Sequence, residues 1–595
     1  MSQQAMLLSL LGVTLVLFTA GRWRYDLVAL LALMAATALG LVPAGKAFLG
    51  FGDPAVVTVA AVLVLSQALR KTEVLDRVAQ VLLRRGSPVP TQIAVLTGIV
   101  AALSAFMNNV GALALALPLG IQLARREQIP PSLLLMPLAF GSLLGGTATL
   151  IGTPPNIILS DVRAQSTGTG FDLFAFAPVG LAVTLAGVAF IWGFSRYLVP
   201  HRPATDPGED PFHMEDYISE VQVGEDSSLA GQSLREVGWS TDSEVLVACL
   251  IRDGQRFPAP PTSTVLLPGD LLVVEADPPT LRLLSHAAGL KLVGSQTPLS
   301  GALASEEVSV VEAVVGRQSP LFRRTARHLD LRRRYGINML GVARAGRRLE
   351  GRLGDIPFQS GDVLLLQGAA GHMAETLRAL GCLPLAGPDR RFSPPGRALP
   401  AIAIFGAAVV ATATGFLPVP VAFVGAAAAM VVAGILTLQE AYESIDWSVV
   451  ILLGAMLPLG TAMETSGAAR DIASRLVASG AALPPFAMVG LVLVLSMAMS
   501  NVLNNAATAV LMAPIALNTA GALRASVDPF LMAVALGSTA AFLTPIGHPS
   551  NTLVMGPGGY LFRDYWRLGL PLSLLVVLVG LPAILWRWPL AAAVP

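Results

Sequence analysis

Charged residues are scarce in this sequence, which argues against an ordinary soluble protein. Asp, Glu, Lys and Arg make up 13% of the 595 residues, against ~25% in typical soluble domains. The net charge of +1 gives no reason to expect a nucleic-acid partner. Only two cysteines occur, Cys249 and Cys382, so there is neither a disulfide framework nor metal-ligand spacing. What the sequence has in abundance is hydrophobic residues, at 54%.

The charges that do occur are concentrated in the middle of the chain. Residues 203–396 hold 43 of the 77 charged residues, which divides the chain into an apolar half (1–202), a polar insert (203–396) and a second apolar half (397–595). The apolar halves contain ten segments of roughly the ~20 residues that a bilayer core requires. These segments are 5–20, 26–43, 54–70, 131–160, 172–197, 398–415, 418–437, 447–463, 528–556 and 566–588. We therefore expect five membrane crossings in each half.

One longer apolar stretch in each half does not fit a single crossing. Residues 91–124 carry no charge over 34 positions, which is ~51 Å of helix, and residues 483–523 behave in the same way. A pair of asparagines lies near the middle of each stretch: Asn108 with Asn109, and Asn504 with Asn505. A polar pair at this depth favours a re-entrant hairpin, over 91–125 and 483–524, whose tip faces a protein-lined cavity. Two short helices joined by a buried polar turn are the alternative.

The two apolar halves are related by an internal duplication. The segment MNNVGALALALPL (107–119) aligns with LNNAATAVLMAPI (503–515), and IGTPPN (151–156) aligns with IGHPSN (546–551). Matches in the same order and at nearly constant spacing indicate an ancient duplication. Because five crossings is an odd number, the second half begins on the opposite side of the membrane, as in many secondary transporters.

The predicted fold class is a polytopic α-helical membrane protein. It has an inverted repeat of five spans plus one re-entrant hairpin per half, with an α+β cytoplasmic insert of two tandem repeats. Placing the insert in the cytoplasm leaves more Lys and Arg in the inside loops than in the outside loops, which matches the positive-inside pattern. We therefore expect a multi-pass protein of the plasma or inner cell membrane, surrounded by the lipid bilayer.

Four helix breaks mark where ions and substrate are expected to bind. In inverted-repeat transporters such sites gather where discontinuous helices meet near the midplane. Two of the breaks are the asparagine tips, and the others are GTPPN (152–156) and GHPSN (547–551), where Gly and Pro interrupt apolar helices. Backbone carbonyls exposed at a break can bind sodium, and helix N-termini favour an anion. The hairpins lack the buried carboxylate that usually carries protons, which disfavours proton antiport.

At these motifs the membrane part resembles the divalent-anion:sodium symporter family, over essentially the whole chain outside the insert. That family carries a Ser-Asn-Thr signature at each hairpin tip and a small-residue-Pro-Pro-Asn loop after each hairpin. The resemblance implies two sites for coupling sodium ions, framed by Ser104, Asn109 and Gly152 and by Ser500, Asn505 and Gly547. It implies a substrate site formed by Asn108, Asn109, Val110, Thr153, Pro154, Asn504, Asn505, Ala506, His548 and Pro549. A homodimer and an elevator-type movement of the hairpin-bearing domain are also implied.

The sequence departs from the family signature at both tips. The two threonine hydroxyls are replaced by Val110 and Ala506, and both serines by asparagine. We therefore favour sulfate over a dicarboxylate as the small anion that a sodium-coupled symporter would import, with other organic anions left open. An antiporter or an efflux carrier is the alternative, with His548 as its titrating group.

The polar insert is itself duplicated, over 214–292 and 306–385. Glu220, Arg252 and Asp270 match Glu312, Arg344 and Asp362 at a constant offset. Both copies resemble the paired C-terminal domains of regulators of potassium conductance, which implies dimerisation and a small regulatory ligand. A rigid dimerisation brace without a ligand is the alternative. No catalytic constellation and no GxGxxG loop occurs in the insert, so we expect neither an enzyme nor a bound cofactor.

Overall fold

The computed structural model describes residues 3–20, 23–71, 88–127, 129–200, 218–225, 227–237, 246–252, 255–258, 260–261, 263–275, 290–293, 308–316, 319–344, 347–349, 353–385, 398–479 and 483–591. The predicted domain boundaries, near residues 203 and 396, lie outside these ranges. Within them the chain forms two helical halves and two small β-sheets.

The described residues of the first half form eight α-helices. They are α1 (Gln3–Ala20), α2 (Tyr25–Ala38), α3 (Pro54–Lys71), α4 (Val89–Ser104), α5 (Asn109–Arg126), α6 (Ser132–Gly146), α7 (Pro154–Thr167) and α8 (Ala177–Leu198). The predicted hairpin corresponds to α4 and α5: α4 ends at Ser104, and α5 begins at Asn109, the second asparagine of the tip. The predicted span 131–160 is not continuous, because the Gly-Pro loop divides it into α6 and α7.

The described residues of the insert form two five-stranded antiparallel sheets. The strands and helices, in chain order, are β1 (Ile218–Val223), β2 (Leu246–Arg252), β3 (Gln255–Pro258), β4 (Leu271–Glu275), β5 (Leu290–Val293), β6 (Val308–Val315), α9 (Ala326–Leu329), α10 (Leu331–Tyr335), β7 (Ile337–Arg344), β8 (Arg347–Arg348), β9 (Val363–Ala369), α11 (Ala370–Ala379) and β10 (Cys382–Pro384). The first sheet has the order β3-β2-β4-β1-β5. The second has the equivalent order β8-β7-β9-β6-β10, so the two copies share one topology.

The same ion pair occurs at equivalent positions in both copies of the insert. Arg252 donates to Asp270 at 2.7 Å, and Arg344 donates to Asp362 at 2.8 Å. Each aspartate is 1% exposed and also accepts a backbone N–H from the turn before its strand. The pair therefore fixes that turn in each copy.

Burial raises the pKa of the Cys382 thiol to about 12, so we expect this cysteine to be unreactive in the folded chain.

The second half repeats the helices of the first. They are α12 (Ala398–Ala413), α13 (Val419–Val432), α14 (Leu438–Glu443), α15 (Trp447–Thr465), α16 (Ala468–Ser479), α17 (Pro485–Ser500), α18 (Asn505–Ala522), α19 (Asp528–Thr539), α20 (Pro549–Met555) and α21 (Tyr565–Arg587). Helix α17 packs on α19 as α4 packs on α6, and α18 packs on α19 as α5 packs on α6. The predicted span 528–556 is again two helices, α19 and α20.

Four stretches of the described helices are long and apolar enough to cross a membrane: Ala44–Lys71, Ala177–Leu198, Trp447–Thr465 and Phe562–Arg587. Eight further apolar helices are shorter, at 10–17 residues. Helix α21 exposes Leu570, Leu574 and Leu578 at intervals of four residues, and Leu578 is 74% exposed. A stripe of large apolar side chains on one face of a helix is suited to contact with lipid.

The second copy of the insert packs directly on the membrane part. Alternate side chains of β9 point to opposite faces, as in any strand. Leu364 and Leu366 join the copy's own core, whereas Val363 and Leu365 join the apolar cluster of the helical halves. The core of the first copy is a separate cluster. The second copy is thus the one that contacts the transport helices through its sheet.

Candidate ion-binding site at the helix breaks

The first asparagine of each tip caps the helix that follows it. The side-chain oxygen of Asn108 accepts the N–H of Val110 at 3.0 Å, and that of Asn504 accepts the N–H of Ala506 at 2.8 Å. Asparagine is a preferred N-cap because its oxygen satisfies an otherwise unpaired helix N–H. Its NH₂ group is not consumed by the cap, so each tip retains an amide donor.

The second asparagine of the first tip lies in a cluster of oxygen atoms. Asn109 is 2% exposed, and its side-chain Oδ1 accepts the hydroxyl of Ser104 at 2.8 Å. The same atom faces the carbonyl oxygens of Ser142 and Gly152, each at 3.3 Å. Two arrangements satisfy these atoms: the amide turns so that its NH₂ donates to all three oxygens, or a hard cation lies among four oxygens. The structure brings together Ser104, Asn109 and Gly152, the three residues that the family resemblance implies for one sodium site.

The side chain of the equivalent asparagine of the second tip differs in its surroundings. Asn505 is 6% exposed, and neither its Oδ1 nor its Nδ2 has a hydrogen-bond partner among the described residues. Ser500 donates instead to the carbonyl of Gly537 at 3.2 Å. A Cβ on Gly547 would come within 3.0 Å of the Ser500 carbonyl oxygen, so the loop passes close to the tip. A buried amide without partners is a costly arrangement that a ligand would relieve.

Each Gly-Pro loop is tied down by an asparagine that the substrate-site prediction did not include. The Nδ2 of Asn156 donates to the carbonyls of Gly146 and Thr149 at 3.4 and 2.8 Å. In the second half the Nδ2 of Asn551 donates to Ala541 and Thr544 at 2.7 and 3.0 Å. The final asparagine of both loop motifs therefore supports the loop.

A threonine in each loop also ties the loop to the neighbouring hairpin tip. The hydroxyl of Thr149 donates to the carbonyl of Ala105, and the hydroxyl of Thr544 donates to the carbonyl of Asn501 at 2.6 Å. Thr544 belongs to none of the predicted site residues, although its alignment with Thr149 is the signal that could have found it. Tip and loop are thereby coupled in both halves.

We expect replacement of either loop asparagine to destabilise the membrane part. Asn156→Ala and Asn551→Ala each leave two buried carbonyls without their donor, so each should lower the free energy of unfolding by about 1–3 kcal/mol. Thermal unfolding in detergent measures the effect. Thr461→Ala is the control, since that exposed hydroxyl bonds only the carbonyl one turn back. Equal melting temperatures for all three variants would contradict the bracing role.

The remaining predicted site residues lie in different surroundings. Thr153 is 2% exposed and its hydroxyl makes no cap hydrogen bond. The Nδ1 of His548 accepts the N–H of Ser550 at 3.1 Å, which caps α20. Ala506 is buried in α18, and Pro154 begins α7.

A cavity of about 1030 Å³ opens beside the tips, and we call it the vestibule. Of the predicted site residues it is lined by Asn108, Val110, Asn504, Gly547 and Pro549. Thr153, Pro154, Ala506 and His548 do not line it. The second tip and its Gly-Pro loop therefore contribute more to this cavity than the loop of the first half.

The second insert copy forms one wall of the vestibule. Ser319, Ser360 and Arg378 of that copy line the cavity together with the two tips. Gly361, in the turn before β9, lies against α20: a Cβ there would come 3.3 Å from the carbonyl oxygen of Thr552. The insert therefore touches the helix that begins at the second Gly-Pro loop.

Comparison with known proteins shows extensive similarity to membrane transporters. The model of the citrate transporter family, CitMHS, matches residues 15–537. An uncharacterized transporter of Synechocystis sp. is 33% identical over 583 residues, which is 96% of this chain and 95% of that protein. Sodium/sulfate cotransporter 2 of Chlamydomonas reinhardtii is 30% identical over 358 residues, which is 57% of this chain and 40% of that protein. The solved YdaH transporter of Alcanivorax borkumensis aligns with a TM-score of 0.44 and 13% identity, covering 93% of this chain and 88% of that one.

These similarities decide the class of the protein. The family and its relatives are transporters, which confirms the prediction of a membrane transporter rather than an enzyme. They also support a helical protein that crosses the membrane several times. The family model covers most of both helical halves and the insert between them. The chain therefore belongs to the citrate transporter family of multi-pass membrane transporters.

Proposed function

We propose that the protein is a sodium-coupled symporter that imports a small oxyanion, with sulfate favoured, by an elevator-type movement of its hairpin-bearing domain. The observation that carries the proposal is the pair of equivalent buried asparagines, Asn109 and Asn505, each next to a serine and a Gly-Pro loop. Relatives named sodium/sulfate cotransporters support the choice of ion and anion.

The residues around Asn109 fit a sodium ion. The cluster supplies a hydroxyl, an amide oxygen and two backbone carbonyls from unwound segments, and oxygen ligands of this kind suit hard cations. No charged side chain is needed, because carbonyls at broken helices coordinate sodium in other transporter folds. Asn505, with both polar atoms unpaired among the described residues, would contribute to the second ion site.

The two capping asparagines fit an anion. Asn108 and Asn504 use their oxygens for the caps and line the vestibule, which leaves NH₂ donors for an anion at the starts of α5 and α18. Helix N-termini add a favourable dipole and free N–H groups. Val110 and Ala506 lack hydroxyls, which supports a compact oxyanion over the larger dicarboxylates.

Contacts between the halves support the inverted topology. Lys71, at the end of α3, pairs with Glu440 of α14 at 2.7 Å. Arg163 of α7 pairs with Asp528, at the start of α19, at 2.8 Å. In the proposed topology the first pair lies on the cytoplasmic side with the insert, and the second pair lies on the outer side. Neither pair joins residues that the topology places on opposite sides of the membrane.

Uptake into proteoliposomes tests the proposal. Labelled sulfate is added with and without an inward sodium gradient, and unlabelled succinate and citrate serve as competitors. We expect sodium-dependent sulfate uptake that succinate does not inhibit. Sodium-dependent uptake of a carboxylate instead would replace sulfate as substrate, and uptake driven only by a proton gradient would favour the antiporter alternative.

The proton-coupled alternative depends on His548. Its Nδ1 accepts a backbone N–H as the cap of α20, so protonation of that nitrogen would remove the cap. The imidazole would therefore have to break a helix-capping bond in order to carry a proton on Nδ1. This geometry favours sodium coupling over proton coupling.

A further inference from the structure

We propose that Arg70 is an anion-binding and specificity-determining residue in the vestibule, where its guanidinium meets the transported oxyanion beside the first hairpin tip. The inference rests on the proposed anion transport and names a residue that lies outside all four helix breaks. Arg70 belongs to α3, one residue before the helix ends. None of the sequence motifs includes it.

Arg70 lies next to the first tip. Its side chain lines the vestibule together with Asn108, Val110 and Asn504. A Cβ on Gly111, two residues into the helix that Asn109 begins, would come 4.0 Å from the Arg70 Cδ. The arginine and the donor groups of the tip therefore face the same space, from different helices.

The charge of Arg70 is not neutralised within the described part of the chain. Its guanidinium donates to the side-chain oxygen of Gln67, a neutral acceptor on the same helix. Two other positively charged side chains where the helical halves meet have carboxylate partners: Lys71 pairs with Glu440 at 2.7 Å, and Arg163 pairs with Asp528 at 2.8 Å. A partly buried guanidinium without a counter-charge is a strong attractor for an anion.

The acidic side chains of the vestibule do not cancel this charge. Glu440 is paired with Lys71. Burial raises the pKa of Glu440, but hydrogen bonds that its carboxylate accepts from Lys71 and from the backbone N–H of Thr437 outweigh burial and lower this pKa. Asp446 accepts the N–H of Ser448 as the cap of α15. Of the described carboxylates that line the cavity, none forms an ion pair with Arg70.

The chemistry of arginine defines the ligand. A guanidinium presents a planar fork of donors that binds two oxygens of one oxyanion at once. Together with the amide groups of Asn108 and Asn504 it would surround a tetrahedral or carboxylate oxyanion with donors. A lipid phosphate has the same chemistry, so a headgroup is the competing occupant.

Anion-induced thermal stabilisation tests the proposal. The full-length protein in lipid-free detergent is unfolded at increasing sulfate, succinate or citrate concentration, with and without sodium. We expect Arg70→Gln to weaken the apparent affinity for the responding anion by about 10–100-fold. Arg70→Lys should recover part of the loss, because it restores the charge without the fork. The stabilisation by sodium alone should be the same in all variants.

A neighbouring cation provides the matched control. Lys71→Gln removes the next positive charge on the same helix, but that charge is already paired with Glu440, so the anion affinity should change by less than about threefold. In proteoliposomes, Arg70→Gln should raise the KM for the anion more than it lowers the maximal rate. An anion affinity unchanged in Arg70→Gln would overturn the role of Arg70 and leave the proposed transport standing.

Two further outcomes are distinguishable. A wild-type protein that none of the three anions stabilises would overturn the proposed function, and the role of Arg70 with it. Stabilisation by added phosphatidylglycerol that is lost in Arg70→Gln, without an effect on sulfate, succinate or citrate, would assign the guanidinium to a lipid headgroup and overturn the transport role.

Discussion

Asn505→Ala should abolish sodium-dependent uptake without lowering the stability of the fold. The Asn505 side chain is 6% exposed and makes no hydrogen bond within the described residues. Alanine therefore removes an unsatisfied amide rather than a bond, and the free energy of unfolding should stay equal or rise. The same substitution deletes a proposed ion ligand, which should weaken sodium binding by about 10–100-fold. Loss of activity with retained stability is the signature of a ligand residue.

Two variants make this result specific. Asn518→Ala alters the same helix, but that side chain only bonds the carbonyl of Pro514 at 2.9 Å, so uptake should be retained. Asn109→Ala should also abolish uptake, but with some loss of stability because the bond from Ser104 is lost. Melting temperatures at several sodium concentrations and initial uptake rates are measured for each. Normal sodium-dependent uptake by Asn505→Ala would remove it from the ion site.

Gly361→Ala should reduce uptake, whereas Gly269→Ala should not. The two glycines occupy equivalent turns of the insert copies, with φ of +89° and +91°, so alanine suffers the same backbone strain at both positions. Only Gly361 contacts the membrane part, where the new Cβ would come 3.3 Å from the Thr552 carbonyl oxygen. Apart from Gly269 and its chain neighbours, no atom of the described residues lies within 4 Å of the corresponding position at Gly269. Comparing the two variants therefore separates the effect of the insert's contact with α20 from the effect of backbone strain.

The contact at Gly361 leads to the candidate site by a short path. The hydroxyl of Thr552 donates to the carbonyl of Pro545 at 2.7 Å, within the second Gly-Pro loop. Overpacking of about 1–3 kcal/mol at this contact would shift α20 and lower the uptake rate by about tenfold. Gly269→Ala should retain uptake within about twofold, since strain alone leaves that contact intact.

Uptake rates and melting temperatures of the two glycine variants give the readout. Equal losses in Gly361→Ala and Gly269→Ala would show that backbone strain in the insert, rather than its docking on α20, governs the effect. Gly556→Ala provides an independent check from the membrane side, because its Cβ would overlap the Gly361 carbonyl oxygen. It should behave as Gly361→Ala does.

The local features of the site could be predicted from the sequence because short-range rules govern them. An asparagine before an apolar helix is a natural cap, and this role explains the first asparagine of each tip. A proline that follows Thr153 or His548 begins a helix, so the positions of the breaks follow from the printed residues. The repeated motifs also predicted which break corresponds to which.

Features that depend on distant segments could not be predicted in this way. The carbonyl of Ser142 that faces Asn109 belongs to a different helix, and backbone carbonyls have no signature in the sequence. Arg70 resembles any cation at the end of a membrane span until the fold places it beside Gly111. Its separation from the tip by some forty positions hides the relation.

The sequence by itself determined the membrane class, the duplicated halves and the helix breaks, because hydropathy, repetition and capping are properties of neighbouring residues. Only the tertiary structure decided that, among the described residues of the insert, it is the second copy that packs against α20. The two copies have equivalent strands and the same ion pair, so their local chemistry does not distinguish them. The close contact at Gly361 distinguishes them. Such a contact requires two backbones that are distant in the sequence to meet where no side chain lies between them.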